Sequence, residues 1–377
     1  MNKKEVLEIK KLFTKERFCI HKICGCYVNS EKEKVFMSEN AFLSLPEEEI
    51  HKYLDIFRKS LSGSIGKNLI NLEFPSEQEK NGGVQQQLLY LRDSELKNQE
   101  AIAAFYDRII ELYDEPDHYY INLIYGSYDV PGKSSDGLTS DEPGEDVYNY
   151  ILCCICNMHL SKPGLCYAVK EECIKDRFRD RIMNVPEVAF LFPAFNDRCA
   201  DIHNILYYSK NAKILDPNMI HGLLKCKIPN TAQEQQKSLN SVIHEVFSDH
   251  CDFETVCSIS DCLTDLEADY EAKGEIPSVD KQELEKIFEK CGANSEQLQN
   301  FSEIYADGFG EQDEVMISNV TNPKTLDIKT ADISIKVNKN RTDLTEMGEY
   351  NGRKCMVVYL DGRVTVNGVD ISLKENE

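Results

Sequence analysis

The hydrophobic period changes at Tyr119, and that change constrains the fold more than any other feature of the chain. Before it the spacing is mostly helical, apart from one expected strand. Residues 2–14 place Val6, Ile9, Leu12 and Phe13 on one face. Pro46 opens PEEEIHKYLDIFRKSL, whose three glutamates suit the positive helix end and whose Gly63 suits the stop. Helical patterns follow near 84–97 and 99–113. From Tyr119 the chain becomes rich in β-branched and aromatic residues, in YYINLIYGSYDV and VYNYILCCICNMHL, which predicts strands. Further strands are expected at 17–28, 165–170, 187–195 and 202–209. The Gly/Pro/Ser/Asp-rich stretch from Pro131 to Asp146 predicts a surface loop. An antiparallel sheet flanked by helices accounts for this order better than βαβ repeats, so the fold class is α+β.

Residues 214–310 are expected to be helical, with helices over 279–291 and 295–307 stopped by Gly292 and Gly308. Charge is concentrated here. Between Ser241 and Glu314 there are twenty acidic and four basic residues, so this stretch carries −16 of the formal −22. The glutamates fall on the outer faces of amphipathic helices, and the rest of the chain is near neutral. After Val315 the pattern turns to β. In CMVVYLDGRVTVNGVDISL, Asp361-Gly362 and Asn367-Gly368 predict two tight turns separating three strands. The expected organisation is an α+β body over 1–213, a helical region over 214–314 that is acidic from 241, and a β module over 315–377.

Apolar residues at 41% and charged residues at 29% are ordinary for a globular chain. No run approaches the roughly 18 apolar residues of a membrane helix, and the charged N-terminus reads as neither signal nor transit peptide. A cytoplasmic protein is expected. Fifteen cysteines, odd in number and mostly in apolar surroundings, read as reduced structural thiols rather than a disulfide framework.

The candidate sites follow from this reading. Cys24 and Cys26, with His21, lie on one expected strand, and Cys153, Cys154 and Cys156 lie on another. Adjacent strands would bring thiolates to a metal, but C-x-C on a strand lacks the loop of a zinc site, so packed thiols are the better reading. Gly63 to Asn68 lacks the spacing of a phosphate loop. The densest polar cluster is Asn196, Asp197, Arg198, Asp201 and His203, between two apolar strands. It suits either acid–base or phosphate chemistry, or a charged hairpin tip. The loop carrying Asp129, Lys133 and Asp136 is a second candidate. Lys175, Arg177, Arg179 and Arg181 form a basic run that could meet phosphates.

Several phrases together resemble an uncharacterised family of clostridial-type Firmicutes over nearly the whole chain: CIHKICGCYV, AFLSLPEEEIHKYLDIFRKSLSG, DVPGKSSDG, FLFPAFNDR, DIHNILYYSKN and VNGVDISL. That resemblance implies no activity and no catalytic residues. A fainter similarity, in the order of elements over roughly 17–250, is to the bacterial nucleoid-associated protein family. The expected function is that of a non-enzymatic interaction protein with a protein partner, no cofactor and no membrane span. The alternatives are a nucleoid-associated protein that contacts nucleic acid, and a ligand-binding or hydrolytic enzyme centred on Asp197, Arg198 and His203. The sequence sets no oligomeric state.

Overall fold

Each strand at the centre of the first unit buries both of its faces, which is why its sequence runs apolar without alternation. The computed structural model describes residues 1–133, 139–310, 314–322, 324–362, 364–366 and 369–371. They form two compact units, Met1–Glu234 with Glu271–Ile276, and Gln235–Tyr270 with Pro277–Glu377.

The first unit begins with α1 (Lys3–Lys10), β1 (Ile20–Val28), β2 (Lys34–Ala41), α2 (Glu47–Ser60) and β3 (Leu69–Glu73). Then come α3 (Val84–Asp93), α4 (Gln99–Leu112), β4 (Tyr119–Lys133) and β5 (Thr139–Leu160). Short strands β6 (Leu165–Ala168), β7 (Cys173–Asp176) and β8 (Arg181–Met183) precede β9 (Val188–Phe192). β10 (Ala194–Asn196), β11 (Cys199–Asp201) and β12 (Asn204–Ser209) follow. The main sheet has the order β2-β1-β4-β5-β9-β12-β3, with β8 also paired to β5. Every pairing in it is antiparallel.

Alternation along the strands feeds two cores. On β5, Ile151, Cys153 and Ile155 face the core beneath α3, α4 and the turn at Asn218–Leu223. Leu152, Cys154 and Cys156 face the other core, beneath α1 and α2. Capping holds these helices in place. Asn2 accepts from the Lys4 and Glu5 amides while the Glu5 carboxylate accepts from the Asn2 amide, closing a capping box on α1. In α2, acidic Glu47–Glu49 and basic Arg58 and Lys59 sit at the ends that match the helix dipole.

The α+β class is as expected, and several local expectations need correction. The Pro131–Asp146 stretch is not simply a loop, because the β4–β5 ladder continues through Asp129↔Val147 and Pro131↔Pro143. β3, β7, β8 and β11 were not legible because each is an edge strand or a ribbon of five residues or fewer. Residues 214–230 carry one short π-type turn rather than a helix.

The second unit contains most of α5 (Ala232–Phe247) and of α6 (Phe253–Lys273), then β13 (Ser278–Val279), α7 (Lys281–Lys290) and α8 (Ser295–Leu298). α9 (Phe301–Phe309), β14 (Val315–Met316) and α10 (Ile317–Val320) complete its helical part. The acidic helices are amphipathic as expected, burying Leu284, Ile287 and Phe288 on α7 and Phe301, Tyr305 and Phe309 on α9. Gly308 lies inside α9, where a Cβ would stand 3.1 Å from Val242, and the helix ends instead at Gly310 with φ +87°.

Beyond it β15 (Thr325–Lys329) pairs with β16 (Ser334–Asn338), β17 (Thr345–Tyr350) with β18 (Arg353–Val358), and β19 (Val364–Val366) with β20 (Val369–Ile371). The β18 strand turns back through Asn351-Gly352, with φ of +52° and +72°, and pairs with β17 rather than across Asp361-Gly362. Asn367-Gly368 lies outside the described residues. Among the described residues of 325–371 only Val337 and Thr345 are buried, so these are thin ribbons.

Candidate functional site

The polar cluster between β10 and β11 is a two-residue hairpin clasped by α1. Asn196 pairs with Cys199, and Asp197 and Arg198 form the turn with φ of +52° and +60°. Two non-glycine residues in this region cost on the order of 1–3 kcal/mol each and need local anchors. Helix α1 supplies them. The Asp197 amide donates to Glu5 Oε1 at 2.7 Å, and the Arg198 guanidinium binds Glu8 through Nε and Nη2, the shortest contact being 2.9 Å. Tyr128 donates its hydroxyl to the same Glu8 carboxylate at 2.9 Å.

Asp201 accepts from Asn196, Asn204 and the His203 amide at 2.7, 2.7 and 3.0 Å. Partial burial pushes its carboxyl up, but these donors outweigh burial and hold it below the usual carboxylate range. The Met1 ammonium, bonded to Asn71 at 2.7 Å, has its pKa lowered by burial, against the pull of Glu5, Asp201 and Asp197. His203 is exposed and bonds Glu79 at 2.6 Å, which raises its pKa. The structure therefore brings Asn196, Asp197, Arg198 and Asp201 together and turns His203 outward to the loop before α3.

The second candidate loop is only partly in view. Asp129 is exposed on β4, opposite Val147. Asp136 and the Lys133 side chain lie outside the described residues.

The two thiol groups lie on strands separated by β4. Cys24 opposes Leu123, which opposes Cys153, while His21 packs against the Tyr125 ring. No metal-holding group of His, Cys, Asp or Glu occurs among the described residues. Burial raises the Cys24 and Cys26 thiols to about 11 and Cys154 to about 12, and pushes Cys153 and Cys156 up as well. Reaction requires the thiolate. Iodoacetamide at about pH 8 is expected to label the exposed Cys173 and Cys199 in the folded protein. The five strand thiols should stay unlabelled until denaturant is added. Peptide mass mapping reads the outcome, and early labelling of Cys24 or Cys153 would overturn it.

A further surface stands out where β5 runs past the main sheet. Its last residues pair with β8, and the chain between them folds back as a two-stranded ribbon, β6 against β7. The ribbon is closed at its base by hydrogen bonds of 2.8 Å from the Ser161 amide to Asp180 and from the Arg177 amide to Gly164. Its register sets Tyr167 opposite Ile174 and Leu165 opposite Asp176 on one face. Cys166, Ala168, Cys173 and Lys175 occupy the other face. Nothing among the described residues covers the first face: Leu165 is 77% exposed, Tyr167 59% and Ile174 63%, with Phe178 at the foot 82% exposed.

The basic run lies on the same ribbon and at its base. Lys175 pairs with Glu171 at 2.6 Å, Arg181 with Asp117 at 3.0 Å, and Arg179 Nε donates to the Ser161 carbonyl at 2.8 Å. The Arg177 guanidinium has no partner among the described residues.

A family model described as a domain of unknown function, DUF4317, matches residues 1–369. The chain belongs to that family. No curated protein matches it. The DUF4317 match agrees with the resemblance to an uncharacterised family over nearly the whole chain, and neither comparison carries the nucleoid-associated similarity. Sequence reasoning about this DUF4317 chain missed the ribbon's apolar face. The signal was present: Leu165 and Tyr167 alternate with small residues, and Ile174 follows one short turn later. A lone four-residue strand without a recognised partner does not declare which side is dry.

Proposed function

We propose that this protein is a non-enzymatic cytoplasmic interaction protein that holds a protein partner against the apolar face of the β6–β7 ribbon. The observation that carries the reading is the uncovered cross-strand pair of Tyr167 and Ile174, flanked by Leu165. A two-stranded hairpin alone is marginal in water, and gains stability when its apolar face is packed. Contiguous exposed apolar surface on a folded chain marks an interaction site more often than chance exposure does.

The charge pattern favours protein over nucleic acid. Lys162, Lys170, Arg177 and Arg179, which have no ionic partner among the described residues, are largely offset around the same ribbon by the unpaired carboxylates of Glu172, Asp176 and Asp180. The excess of cations on this surface is small, and phosphate contacts depend on a larger one. No helix among the described residues is long and apolar enough to cross a membrane.

The test is affinity capture from the native cell with nuclease treatment, comparing the unaltered protein with Tyr167→Ser/Ile174→Ser. A partner retained through nuclease and lost with the double substitution supports the reading. Capture that is nuclease-sensitive, or equal for both proteins, sinks it. Both substitutions are at exposed positions, so circular dichroism should be unchanged.

A further inference from the structure

We propose that the groove between α3 and α4 binds an apolar molecule ending in a single carboxylate. This site is separate from the β6–β7 ribbon and does not depend on the reading given above. The groove has a volume of about 660 Å³. That lies in the roughly 300–1,000 Å³ range of small-molecule sites.

The sequence explains why the space exists. Helix α4 presents Ala101 and Ala104 along the groove, one turn apart, where larger side chains would close the gap to α3. Leu88 and Leu91 from α3, Phe105 from α4 and Leu223 give it apolar walls. These walls would take an aliphatic or aryl body of the ligand.

One region of the groove is cationic. Arg108 lies one turn beyond Ala104, and its Nη2 approaches the Gly222 carbonyl at 3.5 Å. That contact sets it beside the turn carrying Lys225, which also lines the groove. Arg108 is partly neutralised, because Nη1 bonds Glu111 at 2.7 Å. Lys225 is half-buried and has no hydrogen-bond or ionic partner among the described residues. It is held at φ +57°, and its neighbours' amides are fixed, Leu224 to Met219 and Cys226 to Ile220, both at 3.1 Å. An anion in the groove would give this ammonium the counter-charge that it lacks.

The glutamines of the groove are partly engaged in local bonds. Gln78 accepts from the Val84 amide at 3.3 Å, Gln86 donates to Glu79 at 3.1 Å and Gln87 donates to Gly82 at 3.2 Å. With these amides engaged locally, one unpaired cation remains beside an apolar trough. That arrangement matches a monoanionic amphiphile.

The probe is sodium decanoate, titrated into the full chain by calorimetry and by ligand-observed NMR, with decanol as the uncharged control. Twelve heavy atoms in such a site predict a Kd of roughly 0.1–1 mM. Lys225→Met keeps most of the unbranched stem without the charge and should weaken decanoate about tenfold, leaving decanol unchanged. Ala104→Leu, at an exposed helical position, should fill the groove and abolish both. Undetectable decanoate binding overturns the proposal. So does undiminished binding to Ala104→Leu, or equal affinity of Lys225→Met and the unaltered protein for decanoate.

Discussion

Gly126→Ala is expected to destabilise the first unit by about 3 kcal/mol, the upper end of what overpacking a close-packed interior costs. Gly126 lies on β4 opposite Tyr150 of β5, and the tyrosine ring lies across it. A Cβ at this position would stand 2.4 Å from the Tyr150 ring and 2.4 Å from the Cys19 carbonyl oxygen. The ring has nowhere to go. It is fully buried, stacked on Tyr148 at 5.4 Å, edge-on to Phe13 at 6.2 Å, and its hydroxyl reaches Cys19 at 3.3 Å. The requirement is space, since Gly126 has no positive φ. Urea unfolding monitored by circular dichroism gives the midpoint. A double substitution with Tyr150→Leu should cost less than the two single changes added together, because the clash is shared. A Gly126→Ala midpoint equal to that of the unaltered protein would remove the argument.

What the sequence made legible follows from how far each signal reaches. The β4 and β5 strands were readable because burial on both faces removes polar residues from their centres, and residues such as Ile121, Leu123, Cys153 and Ile155 leave one interpretation. Helices with acidic starts and amphipathic stripes, α2 and α7, were readable for equally local reasons. Pairing was harder. Asn351-Gly352 carries the same turn chemistry as Asp361-Gly362, and only the Thr345↔Val358 to Tyr350↔Arg353 register decides which one closes the hairpin.

The sites illustrate the same limit. Asn196, Asp197, Arg198 and Asp201 are adjacent in sequence, so their clustering was visible, but their partners Glu5 and Glu8 lie some 190 residues away. Nothing local signals that α1 will meet that turn. The ribbon's open face was hidden for the opposite reason. Leu165, Tyr167 and Ile174 look like ordinary strand residues, and whether another layer covers them is a tertiary fact. The groove beside α4 depends on two alanines, and alanine is favoured in helices whatever faces it.

The second large effect is expected in the acidic unit, where Phe288→Ala should cost about 3–5 kcal/mol. Phe288 is fully buried at the meeting of three helices. Its ring packs edge-on against Phe247 of α5 at 5.5 Å and against Phe301 of α9 at 5.6 Å. The aromatic run continues through Tyr305 and Phe309 at 5.9 and 5.2 Å, so one ring anchors a chain of contacts. Truncation removes both edge-to-face pairs and leaves a cavity that rigid helices fill poorly. The stretch 241–314 around these helices carries −16, most of it on α6 and the connecting segments rather than on α5, α7 and α9, and its self-repulsion favours expansion at low salt. Added salt should therefore recover part of the deficit by screening exposed carboxylates, without restoring the lost packing. Phe288→Leu keeps most of the volume and should cost less than about 1.5 kcal/mol. Calorimetric scans of both variants at two salt concentrations, with limited proteolysis mapped to 235–371, measure the difference. A Phe288→Ala protein that unfolds and resists protease like the leucine variant would mean that this ring does not hold the unit together.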